Sequence, residues 1–498
     1  PAPLQQDGVV DWLHDDPEHI LLGVWDLEGY KVRRVDTRNG RFKNIHRGMD
    51  NVYTWETDLS NQIRFGYGET EKEEPIGFLR QADGSWKDVS DLGWMKQEVQ
   101  PVLFEDDPRY AIAVGPVNGS DTDAVVRVDF QSDEIVEVLF EHPSLDAYPV
   151  ATREGKLIGY TIPALESETI FTDPEYARLY RSMGKALPGH SISLRSWTPD
   201  KQVILVVASS PQDGGTLYVW DRKNKALTAI GRAYPELDPE GMSAMEKVTY
   251  KARDGLEITA YLSVPQGVQR DKLPVVVMPH GGPYARDTLG FDFLVQMMTS
   301  RGYAVLQPNF RGSLYEGREF QEAGEGQWGR QMQDDLLDGL AWMVDEGVAD
   351  PDRACIVGWS YGGYAALMGA VQSSDVFRCA ASINGVADLN RLRTRYDDRA
   401  WRRYFDEYIL GDDVKVSDYS PVDQAERIDI PVLIVHAKDD GRVPYDDHAK
   451  PMSRALERKG KQFDMVTIET GDHSLLNKTS RLAMLEALEA FLAANLGG

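Results

Sequence analysis

Residues 358–362 read Gly-Trp-Ser-Tyr-Gly, which places a serine between two glycines in the pattern Gly-x-Ser-x-Gly. In this pattern a sharp turn from a strand to a helix exposes the serine hydroxyl, and the glycines let the two elements approach closely. An apolar run precedes the segment and a helical pattern follows it, so we expect Ser360 to be a nucleophile. The amides at the start of that helix would face an oxyanion formed during acyl transfer.

A serine hydroxyl is a weak nucleophile, so a carboxylate and a histidine base must follow it in this chain order. Among the downstream histidines, His436 ends an apolar run and is interpreted as structural. His448 lies on a polar helical stretch and is interpreted as a solvated surface residue. His473, in a loop after a predicted strand, is the predicted base. Asp439 and Asp440 both suit the carboxylate role, and spacing alone does not separate them.

The predicted chemistry is acyl transfer, in which the histidine deprotonates Ser360 and water later hydrolyses the acyl-enzyme. Backbone N–H groups are expected to stabilise the oxyanion. The candidates are the amide of Tyr361 and one amide from the His-Gly-Gly-Pro segment 280–283, which contains Gly281 and Gly282.

The elements that must carry these residues are buried strands alternating with helices. Continuous apolar runs occur at 275–278, 304–306, 355–357, 379–383 and 432–435, with helical patterns between them. This alternation predicts a mostly parallel sheet covered by helices on both faces. Cys355 and Cys379 fall on neighbouring predicted strands and are interpreted as buried thiols.

The N-terminal half instead shows short alternating strands joined by polar turns. Turn clusters begin at Asp36, Asp83, Asp129 and Asp221, at separations of 47, 46 and 92 residues, the last being two periods. A period near 46 residues is typical of a four-stranded propeller blade, and the alternative is an irregular all-β sandwich. We therefore predict a β-propeller domain of about five blades over residues 1–240 and a catalytic domain over residues 241–498.

The charge balance restricts the partners. Lysine and arginine number 54 against 80 aspartates and glutamates, which gives a formal net charge of −26. This excess repels nucleic-acid phosphates and acidic membrane surfaces, so neither partner is expected. The same negative charge suggests that the entrance to the active site favours neutral or basic peptides, provided that acidic residues line that entrance. No metal and no cofactor are predicted, and no apolar run approaches the roughly 18 residues that cross a bilayer.

The catalytic half resembles the prolyl oligopeptidase family of serine peptidases, particularly its acylaminoacyl-peptidase and dipeptidyl-peptidase-like branches, over about residues 246–496. The motifs that carry the resemblance are HGGP at 280–283, NFRGS at 309–313, GQWG at 326–329 with an Asp pair at 334–335, GWSYGGY at 358–364, DGRVP at 440–444 and GDH at 471–473. The resemblance implies an α/β-hydrolase fold, and its Asp-x-x-Val-Pro pattern implies Asp440 as the carboxylate. The family's N-terminal β-propeller, which caps the active site, agrees with the period near 46 residues.

The resemblance also implies a substrate pocket, with Val386, Leu389, Leu392, Tyr396 and Val443 as its members in this sequence. Aliphatic residues stand where proline-specific members carry aromatic ones, which argues against proline specificity.

Arg442 stands where the family binds a substrate carbonyl, a role that suits a guanidinium. The alternative for Arg442 is a salt bridge to the acidic surface. Some relatives use a tyrosine hydroxyl at the position of His280, so the amide of Gly282 is expected to complete the oxyanion hole here.

The function implied is a serine peptidase that hydrolyses short peptides, with access gated by the propeller. Alternatives are an isopeptidase acting on constrained, lasso-type peptides, a carboxylesterase of the same fold, and a non-catalytic binding protein. A homodimer and an N-terminal segment of the same gene product are further candidate partners. The absence of a signal-peptide pattern favours a cytoplasmic over a periplasmic location. Because the family's propeller usually has about seven blades, we expect this propeller to be incomplete at its N-terminus and the chain to be part of a longer protein.

Overall fold

The computed structural model describes residues 8–26, 29–70, 72, 74–152, 154–165, 169–395, 399–411 and 414–497. The chain divides into two compact units. One contains the chain up to Leu179 together with Tyr315–Glu319, and the other contains Tyr180–Leu314 and Phe320–Gly498. The predicted domain boundary near residue 240 stays a prediction. None of the described helices is long and apolar enough to cross a membrane.

Five small antiparallel sheets occupy the N-terminal region of the described chain. The first contains β1 (Gly8–Asp11), β2 (His19–Asp26), β3 (Gly29–Asp36) and β4 (Phe42–His46). The second contains β5 (Val52–Thr57), β6 (Ile63–Glu69), β7 (Pro75–Arg80) and β8 (Trp86–Asp88). The third contains β9 (Gln100–Phe104), β10 (Tyr110–Pro116), β11 (Asp123–Asp129) and β12 (Glu134–Phe140). The fourth contains β13 (Tyr148–Ala151), β14 (Leu157–Thr161) and β15 (Thr169–Phe171), and helix α1 (Pro174–Ala186) follows it. The fifth contains β16 (Ser191–Trp197), β17 (Val203–Ser210), β18 (Asp213–Asp221) and β19 (Ala226–Arg232).

These sheets repeat at the period that the sequence predicts. Their first strands begin at residues 8, 52, 100, 148 and 191, so successive sheets start 43 to 48 residues apart. The four aspartates that begin the turn clusters stand at the end of the second-last strand of their sheets or, for Asp83, in the turn after it. In each turn the aspartate Oδ1 accepts a backbone N–H from two or three residues ahead, at 2.9 Å for Asp36, 2.9 Å for Asp83, 2.8 Å for Asp129 and 2.9 Å for Asp221. Aspartate recurs here because its short side chain can bond the backbone of a tight turn.

One sheet of eight strands forms the centre of the catalytic region. Its strands are β20 (Met245–Lys251), β21 (Glu257–Ser263), β22 (Leu273–Val277), β23 (Ala304–Asn309), β24 (Ala349–Trp359), β25 (Cys379–Ile383), β26 (Val432–Ala437) and β27 (Phe463–Ile468). The order across the sheet is β20-β21-β23-β22-β24-β25-β26-β27. The pairings from β23 to β27 are all parallel, so the carboxyl ends of these strands meet at one edge.

Helices cover both faces of this sheet, as predicted. The described helices are α2 (Phe293–Ser300), α3 (Arg318–Glu322), α4 (Gln331–Asp345), α5 (Tyr361–Gln372), α6 (Leu389–Thr394), α7 (Arg399–Tyr404), α8 (Ala449–Arg458) and α9 (Lys478–Leu496). A π-helical segment, Phe405–Leu410, continues α7. Short 3₁₀ helices occur at Met95–Gln97, Pro163–Leu165, Pro239–Gly241, Val416–Asp418 and Ala425–Arg427. Side chains of α4, α5 and α8 belong to one buried hydrophobic cluster, and those of α2 and α9 belong to a second.

The interpretation of the two cysteines as thiols is wrong. Cys355 on β24 and Cys379 on β25 are directly opposite each other in the parallel register. They are joined by a disulfide, with their Cα atoms 4.8 Å apart. The sequence places the cysteines on neighbouring strands, but the register that sets them opposite each other is a property of the assembled sheet.

A buried ion pair supports the loop that follows β23. Arg311 is 4% exposed and Asp335 is fully buried, and the guanidinium contacts both carboxylate oxygens at 2.7 and 2.8 Å. Asp335 also accepts the backbone N–H of Arg311 at 3.0 Å, and Asp254 lies 2.8 Å from a third guanidinium nitrogen. The pair thus accounts for the arginine after β23 and for Asp335, the second aspartate of the motif on α4.

We expect Asp335→Ala to lower the free energy of unfolding by about 3–5 kcal/mol, because it leaves a buried guanidinium short of its main partner. Asp352→Ala is the matched control, because Asp352 pairs with Arg378 at the exposed surface. That change should cost less than about 1 kcal/mol. Urea denaturation of both variants measures the difference, and equal losses would contradict the assignment of Arg311–Asp335 as the supporting pair.

Candidate active site

The turn between β24 and α5 consists of Ser360 alone, which has φ 59° and ψ −117°. A residue other than glycine rarely adopts this backbone conformation, so the surrounding packing must impose it on Ser360. A Cβ atom on Gly358 would overlap the backbone of Gly362, and one on Gly362 would overlap the carbonyl of Pro279. Glycine is therefore required at both positions. Tyr361 is the first residue of α5, so its amide lies at the positive end of that helix.

Asp440, rather than Asp439, is the carboxylate that contacts the predicted base. Asp440 Oδ2 lies 2.7 Å from His473 Nδ1. Its Oδ1 accepts the backbone N–H groups of Arg442 and Val443, both at 2.8 Å. Asp440 is 4% exposed, whereas Asp439 is an exposed residue. The carboxylate is thus held on both oxygens at the carboxyl end of β26.

The backbone of the base loop is anchored by two side chains. His473 O accepts N–H groups from Trp359 Nε1 and Asn384 Nδ2, both at 2.9 Å. Asn384 Oδ1 in turn accepts the N–H of Ala437, the last residue of β26, at 2.9 Å. Asn384 is fully buried and links the carboxylate strand to the base loop. Asn384 is not among the residues predicted from the sequence, where its one signal is an asparagine directly after an apolar strand.

The His-Gly-Gly segment lies beside the nucleophile. A Cβ atom built on Gly281 would be 3.5 Å from Ser360 Cβ. His280 Nδ1 is 2.7 Å from Gly281 O, and its Nε2 is 2.8 Å from Ser313 Oγ. Burial lowers the pKa of His280 to about 4, so the ring is neutral at pH 7 and its Nδ1–H donates to the Gly281 carbonyl. Across a trans peptide the N–H of Gly282 then points away from the His280 ring.

The described residues that were predicted to bind substrate differ in their exposure to solvent. Val386, Leu389, Leu392 and Val443 are all buried in the hydrophobic cluster that includes α5. Tyr396 lies outside the described residues. Arg442 is exposed, and no ion pair to another described residue holds its guanidinium.

The interpretation of His448 as a surface residue is wrong. His448 is 1% exposed, and its Nδ1 accepts the N–H groups of Ala387 and Asp388, both at 3.3 Å. Burial lowers its pKa to about 3, so the ring is neutral. His448 directly precedes α8, and because the sequence of α8 is polar, it gives no sign that His448 contacts the loop after β25. His436 is also buried, and its Nε2 lies 2.7 Å from Val443 O.

The fold and the site define a class, an α/β-hydrolase sheet with a serine at the strand-to-helix turn and a histidine–carboxylate pair at the same edge. Residues 289–498 match the model of the prolyl oligopeptidase family. This match confirms the resemblance drawn from the motifs. On that basis the chain is a serine-type peptidase, a hydrolase.

Two relatives match almost the whole chain. Dipeptidyl aminopeptidase BIII of Pseudoxanthomonas mexicana is 26% identical over 514 residues, which cover 97% of this chain and 72% of that protein. Dipeptidyl peptidase family member 6 of Caenorhabditis elegans is 26% identical over 526 residues, which cover 97% of this chain and 70% of that protein.

Solved structures show the same fold. A puromycin-hydrolyzing peptidase of Mycobacterium tuberculosis superposes with a TM-score of 0.73 at 19% identity, covering 96% of this chain and 78% of that chain. Oligopeptidase B from Leishmania major superposes with a TM-score of 0.71 at 14% identity, covering 98% of this chain and 72% of that chain. The predicted fold class, a five-blade β-propeller region followed by an α/β-hydrolase domain, is confirmed.

We expect Asn384→Leu to slow fluorophosphonate labelling of the chain by about tenfold or more. The substitution keeps the approximate volume but leaves the buried Ala437 amide without a partner and removes one of the two donors to His473 O, which loosens the base loop. Labelling rates at matched reagent concentration measure the effect. Asn390→Leu is the control, because the exposed Asn390 amide donates to the exposed Asp423 carboxylate, at 3.3 Å. Equal labelling of both variants and the parent chain would contradict the positioning role of Asn384.

Proposed function

We propose that the chain hydrolyses short peptides through an acyl-enzyme on Ser360, with His473 as base and Asp440 as orienting carboxylate. The observation that carries the proposal is the 2.7 Å contact between His473 Nδ1 and the buried Asp440 carboxylate. A carboxylate only accepts hydrogen bonds, so Nδ1 bears the proton and Nε2 presents its lone pair. That tautomer can take the Ser360 proton and later return it to the leaving amine.

The oxyanion would be held by backbone amides. The Tyr361 amide lies at the start of α5, directly after the nucleophile. The Gly282 amide is a second donor, because His280 holds the carbonyl of the preceding peptide. Gly281 lies directly beside Ser360, since a Cβ atom built on it would be 3.5 Å from Ser360 Cβ. Losing one such donor typically costs about 10²–10³ in rate.

Peptides are the substrate class that the family implies. The names of the two relatives refer to dipeptidyl peptidases, and removal of dipeptides is the specialisation that we propose to test first. Arg442 supports peptide binding, because its exposed guanidinium could donate to a substrate carbonyl from beside Asp440. Restriction of access by the propeller, a homodimer and a further N-terminal segment stay predictions.

We expect a fluorophosphonate to label the chain at Ser360 and Ser360→Ala to abolish the labelling. Asp440→Asn should lower the rate of peptide hydrolysis by roughly 10⁴, because the imidazole is then held in the wrong tautomer. Asp439→Asn is the matched control at the adjacent, exposed carboxylate, and its rate should stay close to that of the parent chain. Unchanged labelling of Ser360→Ala would refute the nucleophile, and a large loss only in Asp439→Asn would reassign the carboxylate.

Peptide and ester hydrolysis can be separated by one panel of substrates. We expect turnover of dipeptidyl nitroanilides and of short peptides in a library read by mass spectrometry, with cleavage two residues from the amino end. The p-nitrophenyl esters serve as the comparison, since the same site chemistry can cleave esters. Turnover of esters without any peptide cleavage would overturn the peptidase proposal in favour of a carboxylesterase.

A further inference from the structure

Residues 384–389, the pocket segment, follow β25 and lie beside the proposed nucleophile. The Ser360 amide donates to the last carbonyl of β25 at 2.9 Å. A Cβ atom built on Gly363 would lie 2.7 Å from Gly385 Cα, so the pocket segment touches the first turn of α5. A substrate side chain held next to Ser360 would therefore have this segment as a neighbour.

Three consecutive amides of the pocket segment are bonded by buried side chains from elsewhere in the chain. His448 Nδ1 accepts the N–H groups of Ala387 and Asp388, both at 3.3 Å. Ser420 Oγ accepts the N–H of Leu389, a predicted substrate-binding residue, at 3.1 Å. His448 is 1% exposed and Ser420 is fully buried. The course of the segment thus depends on two side chains that do not belong to it.

His448 is also part of the turn that follows the carboxylate loop. Its backbone N–H donates to Pro444 O at 3.1 Å. The residue before this proline, Val443, donates its N–H to Asp440 Oδ1 at 2.8 Å, and its carbonyl lies 2.7 Å from His436 Nε2. His448 therefore connects the carboxylate loop to the pocket segment.

The hydrogen bonds fix the protonation of both buried rings. Burial lowers the pKa of His448 to about 3, so this ring is neutral, and because its Nδ1 accepts two N–H groups, its proton is on Nε2. Burial also lowers the pKa of His436, whose Nε2 donates to a carbonyl, so its Nδ1 carries no proton. Within the described chain, His448 Nε2 and His436 Nδ1 have no hydrogen-bond partner. An aliphatic side chain would avoid burying such atoms, but it could not bond the backbone of the two loops.

We propose that His448 is a positioning residue for substrate selection, which fixes the pocket segment beside Ser360 through the amides of Ala387 and Asp388. This role rests on the proposed function at Ser360. The bonds of the His448 ring are to backbone amides of the pocket segment, so its loss should disturb binding of a substrate side chain more than the chemistry at the serine.

The test compares two dipeptidyl substrates that differ in the size of the side chain next to the cleaved bond, glycyl-leucine and glycyl-alanine p-nitroanilide. In His448→Leu, kcat/KM for the leucine substrate should fall by about tenfold relative to that for the alanine substrate, mainly through KM. The reason is that a displaced pocket segment loses contacts with the larger side chain. A general loss of folded protein would lower both values by the same factor and leave their ratio unchanged.

Three further variants locate the effect. His448→Asn keeps an acceptor near the position of Nδ1, so its ratio should stay within about threefold of the parent value. Ser420→Ala removes only the bond to the Leu389 amide and should lower the ratio by about threefold, so the test stands even if His448→Leu folds poorly. His46→Leu is the matched control, because it changes a half-buried histidine on β4, and its ratio should equal that of the parent chain.

Amide hydrogen exchange read by mass spectrometry gives a second measurement, which does not depend on turnover. Exchange in the pocket segment should be faster in His448→Leu than in the parent chain and in His448→Asn. Unchanged exchange, an unchanged ratio in His448→Leu, or equal losses in His448→Leu and His448→Asn would overturn the positioning role. If His448→Leu cannot be purified, an unchanged ratio in Ser420→Ala overturns it. A parent chain that cleaves neither substrate would instead overturn the proposed function, and the role of His448 with it.

Discussion

The close backbone packing where β24 turns into α5 is the constraint on which the candidate site depends. Gly358, Gly362 and the carbonyl of Pro279 leave no room for a Cβ atom, so strand, helix and the His-Gly-Gly segment meet through their backbones. That contact holds Ser360 in its rare conformation and presents its hydroxyl at the start of a helix. The same contact places Gly281 beside Ser360, so the His-Gly-Gly segment lies next to the proposed nucleophile.

Parallel strands explain how distant parts of the sequence reach this turn. The carboxyl ends of β24, β25 and β26 are adjacent in the sheet, so the loops after them share one edge. Asn384 follows β25 and bonds both Ala437 before the carboxylate loop and His473 in the base loop. The buried Arg311–Asp335 pair supports the loop after β23, whose Ser313 contacts His280. The candidate site residues are thus held by buried hydrogen bonds at the ends of neighbouring strands.

The propeller region is organised differently, because each short repeat of the sequence forms a sheet of its own. The aspartates that bond the last turn make the repeat visible in the sequence, because the same turn uses the same side chain in the four sheets that have four strands. Where blades meet, side chains from separate repeats pack together, as Phe65 of β6 and Phe104 of β9 do in one buried hydrophobic cluster.

Local patterns in the sequence determined the class of this protein. These patterns are the serine turn between strand and helix, the blade period, and the alternation of apolar strands with helices. Each of them can be recognised within a few dozen residues. They also selected Ser360, the carboxylate loop and His473 as the candidate site residues, in this order along the chain. Tertiary structure decided the rest, because burial and register depend on partners far away in sequence. Spacing could not separate Asp439 from Asp440, whereas packing exposed the first and buried the second against His473. The register of β24 and β25 sets Cys355 opposite Cys379, where they form the disulfide. The loop after β25 packs on His448, so this residue is a buried hydrogen-bond acceptor and not a surface residue.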